Sequence, residues 1–146
     1  MRLWHKDLIT VLPKQQLLGQ WRELNSIFKL RNKHILINFV YDDNWSLYNY
    51  TLLVIKEMQI RGYNCNLKNM IFYFEGKYEA LILDDSIQTD AYIFPYEEIF
   101  AEKMNKEYLT ICYYNLLEKY RCGGITKNEW EKVEKRYKEL TNVKRS

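Results

Sequence analysis

Glycine and proline are scarce in this sequence, with five and two among 146 residues. That scarcity excludes a collagen-like repeat and a low-complexity disordered chain. No apolar run approaches the ~18 residues a membrane span requires, and the charged start does not lead into a signal-peptide core. No membrane association is expected. Cys65, Cys112 and Cys122 are odd in number and form no CxxC, so neither a disulfide framework nor a zinc cluster is indicated. Inert thiols and a cytoplasmic location are the expectation. His5 and His34 are the only histidines, and no acidic cluster at ligand spacing accompanies them, so no metal site is expected.

Apolar residues, by contrast, make up 47% of the chain and aromatics 16%, including thirteen tyrosines and four tryptophans. Residues 1–146 therefore suit one domain with a substantial core. Most of the tyrosines are expected in core and rim positions and not as base-stacking platforms. Net charge is only +3 but unevenly spread. Residues 1–34 carry seven Lys/Arg against two acids, residues 35–118 six against thirteen, and residues 119–146 nine against four. Two basic ends around an acidic middle suit a surface facing a polyanion. On charge alone, solvated helix faces are the simpler reading.

The hydrophobic pattern is mainly helical. Pro13 suits the first turn of a helix carrying Leu17, Leu18, Trp21, Leu24, Ile27 and Phe28. A second helix starts after the capping cluster Asp42-Asp43-Asn44, runs through Leu47, Val54, Ile55 and Met58, and ends at Gly62. A third carries Leu109, Cys112, Tyr113, Leu116 and Tyr120 and stops at Gly123-Gly124. The fourth opens on the capping box Thr126-Lys127-Asn128-Glu129 and buries Trp130, Val133, Tyr137 and Leu140. The aromatic stretch 66–100 reads as loops with short extended pieces, with FYFEGKY as a small hairpin. The expected fold is all-α, with about four helices and one long irregular insertion.

On a wheel at 100° per residue, Leu17, Trp21, Leu24 and Phe28 form the core stripe of the first helix. Gln15, Gly19, Arg22 and Ser26 lie opposite, with Gln16 and Glu23 at the margin. A marginal carboxylate is raised in pKa by partial desolvation and lowered by a neighbouring arginine. Gly19 lies one turn before Glu23, and a mid-helix glycine costs roughly 1 kcal/mol relative to alanine. Either a packed neighbouring helix or a substrate resting over Glu23 accounts for that cost.

QQLLGQWREL, followed by Phe28, Lys33-His34, FVYD and EMQIRGYN, resembles the pyrimidine-dimer DNA glycosylases of the phage endonuclease V type. The likeness is closer to their bacterial relatives, which open in nearly the same MRLWHKDLI style. It is good over residues 1–65 and faint beyond about residue 70. The resemblance implies a mostly helical, cofactor-free enzyme whose partner is damaged double-stranded DNA. Such enzymes cut the glycosidic bond at a cyclobutane pyrimidine dimer and then the backbone at the abasic site. It further implies an N-terminal α-amine as nucleophile, here that of Met1, and Glu23 as acid/base. Arg22 and Gln15 fall on DNA-contacting positions, and Arg2 is the counterpart of the arginine beside the nucleophile. A monomer is expected.

The chemistry has a simple physical basis. An amine must be unprotonated to attack the anomeric carbon. An α-amine of pKa ~7.8 is about 14% free base at pH 7, whereas a lysine of pKa ~10.4 is about 0.04%. Attack gives an imine, and a carboxylate can then move the protons for ring opening and elimination. His5, Gln16 and Gly19 are candidates for the pocket, although His5, beside Trp4, fits a structural or hydrogen-bonding role better. Lys33, with His34, suits a phosphate contact or a solvated helix end.

Three positions depart from the phage pattern. Arg2 follows the initiator, so the amine belongs to Met1 and not to a threonine. Ser26 stands where the phage helix has a second arginine, and Gln16 where it has a histidine. These departures also suit an alternative: a catalytically divergent protein on the same scaffold that binds DNA, a nucleotide or a protein partner.

Overall fold

Capping residues and periodic apolar positions determine where the helices begin and what they bury. A computed structural model describes residues 2–75, 82–83, 86–87 and 95–142. The chain enters through a 3-10 turn, Lys6–Val11, followed by Leu12 and Pro13. Pro13 is the residue before helix α1, Lys14–Leu30, one position ahead of the first turn the sequence suggested. With no side-chain cap from Pro13, the Lys14 N–H donates instead to Glu129 Oε2 at 2.8 Å. Arg31 closes α1 in the left-handed region at φ 52°, its N–H donating to Ile27 O.

Helix α2, Asn44–Ile60, is capped by Asp43, whose Oδ1 accepts from Ser46 N at 3.0 Å. It is buried on nearly every side through its middle: Leu47, Tyr48, Tyr50, Leu52, Val54 and Ile55 are all in the core. A helix apolar all round belongs at the centre of a bundle. Gly62 ends it at φ 84°, a conformation glycine adopts without penalty.

The stretch 66–100 corrects the sequence reading. It contains a further helix, α3, Lys68–Tyr73, which packs on α1. Leu67, Met70 and Phe74 are buried at spacings of three and four, and Phe28 of α1 meets the rings of Tyr73 and Phe74 at 5.1 and 5.4 Å. Phe72 and Tyr73 therefore finish a helix instead of opening a hairpin, and the remainder of FYFEGKY, 76–78, lies outside the described residues. A two-residue antiparallel ladder does occur further on, between β1, Ile82–Leu83, and β2, Ser86–Ile87.

Helix α4, Lys106–Arg121, starts at Asn105, whose Oδ1 accepts from Tyr108 N at 2.9 Å. Helix α5, Lys127–Asn142, starts on the anticipated capping box: Glu129 N donates to Thr126 Oγ1 and Thr126 N to Glu129 Oε1. Burial would raise the Glu129 pKa, but the hydrogen bonds from Lys14 and Thr126 prevail and hold it below its usual value. The two helices join through aromatic stacks, Tyr113 on Tyr137 at 3.8 Å and Tyr120 on Trp130 at 5.3 Å. The fold is all-α apart from the short ladder. Among the described residues, no helix is long and apolar enough to cross a membrane.

Candidate active site

The segment Arg2–Trp4 is held against the bundle by its own backbone. Gln20 of α1, buried to 1% exposure, accepts from Trp4 N at 2.7 Å and donates to Arg2 O at 3.3 Å. The Tyr50 hydroxyl of α2 donates to Trp4 O at 2.6 Å, and Tyr108 of α4 donates to Leu3 O. Three helices thus clamp three consecutive residues. Leaving any one of these buried groups unpaired costs about 1–3 kcal/mol, so the segment has one favoured position.

Beside it is a cavity of about 380 Å³. Its floor is one face of α1, where Gln16, Gly19, Gln20 and Glu23 follow at spacings of three and four. Arg2 and Trp4 form one wall, Leu36 a second, and Asn115 with Lys119 of α4 the third. Glu23 is the only carboxylate among these lining residues, facing two cations. Its pKa is raised by burial, which the charge of nearby His34 opposes. Glu23 Oε1 and Gln16 Oε1 are both buried without a hydrogen-bond partner among the described residues. A buried acceptor left unsatisfied on a cavity wall is available to a ligand or substrate proton donor. Arg2 also lies over the Tyr108 ring, with the guanidinium carbon 5.9 Å from its centroid.

The cavity occupies the margin of the α1 wheel, with Gly19 alone of its four α1 residues on the face opposite the core. Of the residues anticipated from the sequence, Arg2, Gln16, Gly19 and Glu23 meet there. Gln15 and Lys33 are exposed and do not line it. Arg22 instead joins Ser26, Asn25 and Lys29 in a neighbouring groove that continues to Asn66 and Asn69. His5 does not line the cavity either. It is buried, and its Nδ1 accepts from Asp7 N at 3.1 Å to cap the first 3-10 turn. Burial lowers its pKa, which keeps that nitrogen an acceptor. Met1 lies outside the described residues.

Trp4, Gln20, Leu36, Asn115 and Lys119 were not anticipated. Gln20 had a signal, since a polar residue at core spacing between Leu17 and Leu24 needs a buried partner. Lys119 is the first residue of the basic C-terminal block, and the fold carries it to the same cavity as Arg2. Among the described residues, no group of three His, Cys, Asp or Glu is placed to hold a metal ion.

Gly19 distinguishes between its two explanations. A Cβ there would meet only an Arg22 guanidinium nitrogen, at 3.6 Å, which is ordinary contact. No neighbouring helix among the described residues requires the glycine. Gly19→Ala is therefore expected to stabilise the free protein by about 0.5–1 kcal/mol in chemical denaturation. Affinity for a ligand held in the cavity should fall at the same time, because the added methyl projects where it would rest. Unchanged affinity would remove the substrate explanation for the glycine.

Taken together, these features describe a helical protein with a single carboxylate, two cations and a clamped N-terminal segment around one cavity. Residues 1–70 match the family described as pyrimidine dimer DNA glycosylase. The match covers 70 of the 146 residues, and over them the chain is similar to that family. No curated protein and no solved structure gives a significant match.

Proposed function

We propose that this protein is a pyrimidine-dimer DNA glycosylase with abasic-site lyase activity, using the α-amine of Met1 as nucleophile and Glu23 as acid/base. The observation that carries this reading is Glu23 Oε1, buried on the wall of a cavity that Arg2 also lines and without a hydrogen-bond partner among the described residues. Met1 is bonded to Arg2, and consecutive Cα atoms are ~3.8 Å apart. Clamping Arg2–Trp4 restricts the region the amine can reach.

In the proposed reaction the amine lone pair attacks C1′ and the bond from C1′ to the pyrimidine nitrogen breaks. The sugar ring opens as the nitrogen forms an imine, with a proton delivered to the departing ring oxygen. Removal of a C2′ proton then expels the 3′ phosphate by elimination. Each step needs a group that gives or takes a proton, and a carboxyl raised towards neutrality serves both directions better than an ordinary one. Arg2 and Lys119 supply positive charge that favours the free amine and attracts phosphate.

Borohydride trapping tests the reading. An imine formed on an abasic duplex is reduced to a stable amine, leaving a covalent protein–DNA adduct. No adduct with either an abasic or a dimer-containing duplex would remove the enzymatic assignment and leave the binding-protein alternative.

Arg22, exposed at the lip of the neighbouring groove, has a different role in this reading, as a phosphate contact. Arg22→Ala should weaken duplex binding and reduce the slope of log affinity against log salt by about one. A salt titration with an unchanged slope would take Arg22 out of the DNA interface.

A further inference from the structure

Ile35 is 87% exposed, more than Leu30, Ile60, Phe72, Ile111 or Tyr114, the other large apolar side chains left in solvent among the described residues. It belongs to the loop joining α1 to the 3-10 turn Asn38–Asp42. The next residue, Leu36, lines the Glu23 cavity, and the one after, Ile37, is fully buried.

The loop is braced for its whole length. Arg31 caps α1 and packs on the Tyr73 ring at 5.0 Å, and the Tyr41 hydroxyl donates to Asn32 O. His34 N donates to Asn38 Oδ1 at 2.8 Å, and His34 Nδ1 accepts from Leu36 N at 3.1 Å. Ile37 N and Asn38 N both donate to His34 O at 2.9 Å. A β-branched side chain, itself stiff at χ1, is thus held in solvent on a fixed turn beside the cavity. Arg31, Lys33 and His34 precede it in sequence, and Arg31 and Lys33 are exposed cations.

An exposed isoleucine that follows two exposed cations in sequence suits a duplex, where phosphates meet the cations and stacked bases meet the alkyl group. We propose that Ile35 is a wedge that enters the base stack beside the lesion and opens it, so that the sugar reaches the Glu23 cavity. Apolar wedges of this size unstack and kink DNA in other settings. The role rests on the glycosylase reading above, since it serves access to that cavity. It needs a side chain that keeps its place without being packed, and the hydrogen bonds around His34 provide this.

The test compares two substrates in single-turnover assays: a duplex containing one pyrimidine dimer, and a single strand containing one abasic site. Only the duplex has a stack to open. Ile35→Ala should slow the duplex reaction about tenfold or more, leave the single-strand reaction unchanged, and leave the melting temperature unchanged. Ile35→Phe, which keeps an apolar wedge, should retain most of the duplex rate. Ile60→Ala removes an exposed isoleucine at the far end of α2, outside the residues lining the Glu23 cavity, and should alter neither reaction. Equal rates for Ile35→Ala and the native protein on the duplex, or equal loss on both substrates, would overturn the wedge while leaving the glycosylase reading intact. Inactivity of the native protein on both substrates would overturn both together.

Discussion

Glu23→Gln is expected to abolish turnover on a dimer-containing duplex, lowering the single-turnover rate by about 10²–10⁴-fold, while DNA binding stays within about tenfold. The amide keeps the shape of the side chain and its capacity to accept a hydrogen bond. It loses the ability to take or give a proton. Because Glu23 Oε1 on the cavity wall has no hydrogen-bond partner among the described residues, the substitution breaks no bond to any of them at that oxygen. An active Glu23→Gln protein would move the acid/base role to another group, and none of the other lining residues is a carboxylate.

The same substitution has a stability signature with a defined sign. Burial raises the Glu23 pKa, so the folded protein binds this proton more tightly than the unfolded chain does. Stability from such a group is fully present below the unfolded pKa and is lost as pH rises through the folded one. At neutral pH the ionised carboxylate is therefore a net burden, and Glu23→Gln should melt at or above the native temperature. The difference should shrink as pH is lowered through the carboxylate range. A variant that loses activity while gaining thermal stability separates a chemical role from a structural one, since loss of a structural residue lowers both.

Four of the five α-helices among the described residues were legible because local and periodic signals coincide in them. Asp43 and the Thr126–Glu129 box sit where the apolar repeats of α2 and α5 begin, and Gly62 and Gly123 take positive φ where α2 and α4 end. Helix α3 was missed because its buried positions Leu67 and Met70 lead into the run IFYF, 71–74, which ends on the third, Phe74, and whose aromatic and β-branched residues suit a strand equally well. What decides between the two is tertiary, namely the ring contacts with Phe28 on α1. The site divides along the same line. Gln16, Gly19 and Glu23 share one helix, so 3.6-residue periodicity sets them side by side. Asn115 and Lys119 arrive only because α4 docks there, which no local pattern reports. His5, beside Trp4 and better suited on sequence to a structural or hydrogen-bonding role than to the pocket, has its ring nitrogen capping the 3-10 turn.

Blocking the first atom of the chain is expected to have the largest effect of all. If the Met1 α-amine is the nucleophile, acylating it through an uncleaved N-terminal tag removes imine chemistry entirely. The amide nitrogen's lone pair is delocalised into the carbonyl and no longer attacks carbon. Neighbouring lysines do not substitute readily, since a side-chain amine of pKa ~10.4 is only about 0.04% free base at pH 7. Lys119, which lines the cavity, is the lysine with the best opportunity to do so, and Lys119→Ala in the N-acylated protein checks that route. The comparison uses native, N-acylated and C-tagged proteins on one abasic duplex with borohydride present. Native and C-tagged forms should trap alike, and the N-acylated form should give no adduct while its circular dichroism and melting temperature are unchanged. The clamp on Arg2–Trp4 makes that control meaningful, because its hydrogen bonds use the backbone of residues 2–4 and the side chains of Gln20, Tyr50 and Tyr108, none of which acylation alters. Equal trapping by the N-acylated and native proteins would assign the nucleophile to a lysine, and Arg2 would then hold phosphate beside a reaction that begins elsewhere.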